Sequence, residues 1–203
     1  MPTDSSTSPR RIPRQKRGQR RVAALIAAAA EEFAASGYDA ATMSAIARRA
    51  GAPIGSLYQF FPNKESLARA LRTQYSEEYE KLYAPLEAKA PGMNLAELVE
   101  GLVELMIGFA RRHPAFLTLL DAPSTTRLPA ARERHRQWTA RLLMAYQPLL
   151  TLERAGSIAI VVMQINRAML GLYAQSALGQ RAWVVEEANA VLMAYLKERL
   201  RET

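Results

Sequence analysis

The spacing of breaks between Thr42 and Asn63 constrains this chain more than any other feature. The run TMSAIARRAGAPIGSLYQFFPNK, residues 42 to 64, is fenced by Gly51, Pro53 and Pro62 into two patterned segments of fewer than ten residues each. Helices that short do not stand alone in water, so both must lean on their neighbours. Thr42 is placed to cap a helix over 42–50, which Gly51 ends where a side chain would make the turn costly. Pro53 opens a second helix that stops before Pro62. Asn63 caps a longer one, with Lys64 and Glu65 in its first turn, reaching about Tyr83.

The neighbours are helical too. Val22, Leu25, Ile26, Ala29 and Phe33 fall at i, i+3, i+4, i+7 and i+11, the stripe of an amphipathic helix over about 19–36 that stops at Gly37. Basic residues before VAALIAAAA imitate a signal peptide. Against that reading, Glu31 and Glu32 occupy the place of a cleavage site, and the apolar stripe runs past them. Further helices are expected near 94–112, 114–121, 128–147, 153–179 and 183–201, with breaks at Pro91-Gly92, His113-Pro114, Pro123, Pro148 and Gly179. The fold class is all-α, with about nine helices. No stretch reaches the roughly 20 apolar residues of a membrane span; the best, 155–166, includes Gln164 and is soon followed by Arg167.

Charge divides the chain. Residues 1–72 hold twelve Lys/Arg against five Asp/Glu, whereas the other 131 residues hold fifteen against fourteen. A basic end on a neutral body points to a polyanion-binding module joined to something else. Residues 1–17 have the composition of a disordered basic arm. Arg17, Arg20 and Arg21 are candidates for DNA backbone or minor-groove contact, with a solubilising tail as the plainer reading. The chain has no cysteine, which fits a reducing cytosol and leaves no thiolate chemistry. His113 and His135 lie in basic surroundings with no metal-ligand spacing, and no Gly-rich phosphate loop or nucleophile elbow is present. An enzyme finds no support, and neither a cofactor nor a metal is expected. A membrane-surface binder is the other rival; its basic charge would have to lie along a face, and here it sits at one end.

Two short helices joined at Gly51-Ala52 make a helix-turn-helix, whose second helix enters the major groove of DNA. Ile46, Ala47, Leu57 and Phe61 have the spacing of its small core. Tyr58 carries a polar tip suited to a phosphate. Lys64 puts a cation at a helix start, where it is electrostatically disfavoured, and a phosphate partner would resolve that mismatch. Ile54 precedes Leu57 and Phe61 at i, i+3 and i+7, so core and groove remain open for it. From Arg21 to Leu67 the chain resembles the DNA-binding domain of the TetR family of bacterial transcriptional regulators. The matching features are a first helix ending in Phe-x-x-x-Gly-Tyr, the Thr-led second helix with Ile-Ala, the Gly turn, Leu-Tyr, and Phe-x-Asn-Lys-Glu-x-Leu.

That resemblance implies a basic arm at 1–17, a helix-turn-helix domain at 18–66, and an effector-binding and dimerisation domain at 67–203. It implies that the protein is a cytoplasmic, ligand-responsive regulator, a repressor in the family's usual mode. The regulator would hold a palindromic double-stranded operator as a homodimer and be released by a small lipophilic effector. The alternative is a regulator with no effector. Carried over by position, the DNA contacts are Thr42, Ser44, Pro53, Ile54, Gly55, Ser56, Tyr58, Gln59, Phe60 and Lys64. Ser44 and Ile54 replace the arginine and the polar residue common at their places.

In the body, helix 153–179 is nearly apolar all round and must be covered on every side. Helix 183–201 offers Val184, Val185, Ala188, Val191, Leu192, Tyr195 and Leu196 beside it. Two such helices from each of two chains would form a four-helix dimer interface, for which Val184, Ala188, Val191, Leu192 and Tyr195 are the candidates. Large or soft side chains spread over several helices, namely Tyr75, Tyr79, Met106, Phe109, Phe116, Trp138, Met144 and Tyr173, suit either a plain core or an effector pocket. Gln164, Asn166 and Arg167 could supply its polar groups.

Overall fold

A computed structural model of the chain describes residues 14–120, 122 and 129–201. Among these residues there is no strand, and nine α-helices follow one another: α1 Arg14–Ala40, α2 Met43–Arg49, α3 Ile54–Phe60, α4 Lys64–Lys89, α5 Leu95–Arg112, α6 Pro114–Thr118, α7 Pro129–Tyr146, α8 Leu152–Gln175 and α9 Arg181–Arg201.

Local chemistry sets most of the boundaries. α1 is already helical at Arg14, so residues 14–17 of the expected arm belong to it; residues 1–13 of that arm, and Pro123, lie outside the described residues. Gly37 breaks α1 with φ 78 and ψ 165, a region that only glycine occupies without strain. The Thr42 hydroxyl accepts from Ala45 N–H at 3.1 Å and caps α2. Its far end closes in a Schellman motif. Ala52 N–H reaches the Ala47 carbonyl at 2.9 Å and Gly51 N–H the Arg48 carbonyl at 3.1 Å, with Gly51 at φ 58. Asn63 caps α4 through a reciprocal box with Ser66, and Asn94 does the same for α5 with Glu97.

Besides α1, which runs from Arg14 to Ala40, three helices differ from expectation in length. α4 passes Tyr83 and Pro85 to reach Lys89, followed by a 3-10 turn over Ala90–Gly92. α6 ends at Thr118. α8 ends at Gln175, where the Ser176 hydroxyl bonds the Leu172 carbonyl, and a second 3-10 turn spans Leu178–Gln180.

Apolar burial organises the molecule around two clusters. One joins α1, α2, α3 and the start of α4, from Leu25 and Phe33 through Ile46 and Leu57 to Leu67 and Leu71. Phe109, Ala115 and Leu119 enter it from the body, so α6 packs on α1 although it lies far along the chain. The second cluster joins the rest of α4 and α5 to α7, α8 and α9. α4 spans both: its Tyr75 belongs to the first cluster and its Tyr83 to the second. Among the described residues α8 is the one helix long and apolar enough to cross a membrane. It packs instead against α7 and α9, which is how a core helix satisfies the same composition.

Candidate functional site

The α2–α3 unit is held from behind by Ile46, Ala47, Leu57 and Phe61, all buried, as their spacing implied. α3 turns its other side outward. Ile54 is 41% exposed, Tyr58 51% and Phe60 39%, against 0% for Leu57 between them. Periodicity left Ile54 open between core and groove; in the fold it faces solvent. Thr42, Ser44, Pro53, Gly55 and Gln59 are also exposed, and Ser56 and Lys64 partly so. All ten expected DNA contacts therefore fall on α2 and α3, the residues that cap their starts, and the start of α4. Neither Tyr58 nor Gln59 spends its polar group on a hydrogen bond to another described residue, which leaves both available to a partner.

Two basic residues beside this face, Lys64 and Arg49, are engaged within the chain. The Lys64 ammonium donates to the carbonyls of Tyr38 at 2.7 Å and Asp39 at 2.8 Å, and lies 4.6 Å from the Tyr38 ring centroid. The cation at the start of α4 thus sits on carbonyls at the end of α1, a local resolution of the charge mismatch, with one of its three donors left over. Arg49 is bound to α1. Its guanidinium donates to Glu32 at 3.2 and 3.1 Å and to Glu31 at 3.4 Å, while Ser36 donates to Glu32 at 3.0 Å. The hydrogen bonds from Arg49 and then Ser36 hold the Glu32 carboxyl below its usual range. Arg49 therefore fastens α2 to α1, a role that its separation of 17 residues from Glu32 concealed in the sequence.

In the body a cavity of about 860 Å³ opens between α4, α5, α6, α7 and α8. Tyr75, Tyr79, Met106, Phe116, Trp138 and Gln164 line it as expected, as do Asn166 and Arg167. Phe109 and Tyr173 do not. Phe109 is the hub of an aromatic cluster behind the wall, with ring centroids 5.7 Å from Tyr75, 4.9 Å from Tyr79 and 5.1 Å from Phe116. Tyr173 is buried in the body core with the Arg181 guanidinium over its ring at 4.7 Å. Met144, too, packs against that core and does not reach the cavity.

Arg72, Arg132, His135 and Arg136 also line the cavity and were missed. The run RERHRQ reads as a solvated charged stretch; only the helical stripe Ala131, His135, Trp138 beside it hinted at an inner face. His135 Nε2 lies 2.8 Å from the Tyr83 hydroxyl, and burial pushes its pKa down to about 4. Among the described residues no group of three or more His, Asp or Glu side chains could hold a metal ion.

The dimer candidates need correction. Val184, Ala188 and Leu192 are each 0% exposed because α9 turns them inward against its own chain, where it packs on α5 and α8. Val191 remains outward at 37% and Tyr195 is half-buried. The large apolar residues that α8 and α9 leave exposed are Leu152, Ile160, Val161 and Leu172 on one helix and Trp183 with Val191 on the other.

Comparison with known proteins follows this division. Residues 25–71 match the model of bacterial regulatory proteins of the tetR family, and residues 94–196 match that of the tetracyclin repressor-like C-terminal domain. A TetR-family transcriptional regulator from Streptomyces coelicolor is similar at 26% identity and a TM-score of 0.70, over 89% of this chain and 99% of that one. A TetR-like regulator from Rhodococcus sp. RHA1 shares the fold at 23% identity and TM-score 0.63, covering 95% and 100%. FadR from Bacillus subtilis, solved in complex with stearoyl-CoA, shares it at 16% identity and TM-score 0.63, covering 85% and 96%. No curated protein matches the sequence.

Proposed function

This chain belongs to the TetR family of bacterial regulatory proteins and is a DNA-binding transcriptional regulator, and from that premise we propose that it is a cytoplasmic repressor that holds a palindromic operator as a homodimer and releases it when a small lipophilic molecule fills the body cavity. The observation that carries the DNA-binding part is the outward face of α3. A seven-residue helix exposes Ile54, Tyr58 and Phe60 while Leu57 pins it from behind, an arrangement that suits a groove-reading element. Gln59 is the one side chain there able to make a bidentate base contact. Tyr58, and the third donor of Lys64, are suited to backbone phosphates.

Dimerisation is supported by the uncovered apolar residues of α8 and α9. Two copies of Val161, Leu172, Trp183 and Val191 would close over one another about a two-fold axis and set two reading helices at repeated half-sites. The volume of the cavity and its mixed lining favour an effector over the reading without one. Phe116 and Leu119 connect the two sites: each lines the cavity and packs on the cluster that holds the DNA-binding helices. A ligand that prefers one position of α6 would thereby bias the separation of the two heads.

Selection of bound sequences from a random DNA pool tests the function. An inverted repeat with half-sites about one helical turn apart is expected. Recovery of unrelated sequences, with affinity indifferent to Gln59→Ala, would overturn the reading.

A further inference from the structure

The four arginines of the cavity suggest what it accepts. Arg72, Arg132, Arg136 and Arg167 line it, against one acid, Glu133. Glu133 is already matched, since Arg136 donates to it at 2.8 and 2.5 Å. Arg72 donates to the Leu119 carbonyl. Arg167 donates to the Leu120 carbonyl at 3.4 Å, but among the described residues no carboxylate pairs with it or with Arg132, and both are exposed, which places them at the mouth. Arg132 lies near the start of the described part of α7, whose Pro129 and Ala131 also border the cavity.

Further in, the walls are apolar: Met106, Phe116, Trp138 and Leu170. One polar group interrupts them. Asn166 is 4% exposed and lines the cavity, and its Oδ1 has no hydrogen-bond partner. A buried polar atom in that position is satisfied only by what enters the cavity.

Resting on the reading of this cavity as the effector site, we propose that its ligand is a lipophilic organic anion, with an acid group held by Arg132 and Arg167 and a hydrogen-bonding group along its body that meets Asn166. A cation would meet net positive charge at the mouth. A neutral molecule would leave the charge of two arginines at the mouth without a counter-ion from the ligand.

Three probes of equal chain length separate these classes: dodecanoate and dodecylammonium below their micelle concentrations, and dodecan-1-ol below its solubility limit. Binding is read from Trp138 emission in the full chain carrying Trp183→Phe, which leaves Trp138 as the only tryptophan. Dodecanoate is expected to bind at least about tenfold more tightly than either analogue. Arg132→Gln with Arg167→Gln should bring it down to the affinity of dodecan-1-ol, whose own affinity stays put. Equal or tighter binding of the alcohol or the ammonium would overturn the anion assignment while leaving the cavity an effector site. No saturable response to any of the three would overturn both. If the double variant fails to fold, the ranking of the three probes on the Trp183→Phe chain decides by itself.

Discussion

Lys64 grips Tyr38 twice, through its backbone carbonyl at 2.7 Å and across its ring at 4.6 Å. The start of α4 is thereby tied to the end of α1, just after the Gly37 break. A residue expected to anchor DNA also braces the domain that reads it. Lys64→Met is predicted to cost about 2 kcal/mol of stability, roughly 5 °C in Tm, because two carbonyls lose a charged donor. Below that melt it should also flatten the salt dependence of DNA binding, by about one unit for each phosphate given up. An unchanged melt with a flatter slope would make Lys64 an anchor alone.

Ile54 offers a sharper test. Its exposure of 41% predicts that Ile54→Ala loses less than about 1 kcal/mol of stability, where a core isoleucine would lose about 2–5. The same change should weaken preference for thymine opposite it, and Gln59→Ala should relax preference for adenine at a single position. A thermal melt run beside a binding selection checks both; a large melt shift with unaltered preference would contradict the exposed placement.

The interface proposal separates two faces of α9. Val161→Glu with Val191→Glu should produce folded monomers, seen by sedimentation, with operator binding much reduced. Leu192→Lys should instead unfold the chain, since Leu192 is 0% exposed in a single protomer. A wild-type chain that sediments as a monomer at micromolar concentration would refute the dimer.

His135 should leave a signature in pH. Its folded pKa of about 4 lies below the ordinary 6.5, so on acidification the unfolded chain takes up the proton first. The stability tied to the neutral ring is whole above pH 6.5 and declines as pH falls toward 4, by about 2 kcal/mol at pH 5. Burial shifts His113 in the same direction, so the readout is the difference from His135→Gln. Denaturant melts at pH 7 and pH 5 should show a smaller drop in the variant. Equal drops would mean that His135 titrates normally.

Much of this protein is carried by local rules that act over four or five residues. Thr42, Gly51, Asn63 and Asn94 delimit their helices through caps and turns completed within the segment itself, so the sequence alone determined the all-α order and the helix-turn-helix. Leu57 and Phe61 were legible as core because only one side of so short a helix can be covered. What remained was decided by contacts between distant segments. Ile54 had the right spacing for the core, but the turn at Gly51 and the packing of Leu57 rotated it outward. Nothing in the sequence tied Arg49 to a partner; the packing of α1 brings Glu32 beside it. Val184, Ala188 and Leu192 formed an apolar stripe that periodicity could assign equally to the chain's own core or to a partner. The packing of α9 on α5 and α8 made that choice, and left Trp183 and Val191 exposed. The cavity arose in the same way. A helical stripe states that a face is apolar, and only the arrangement of five helices leaves a gap between such faces and lines it with arginines.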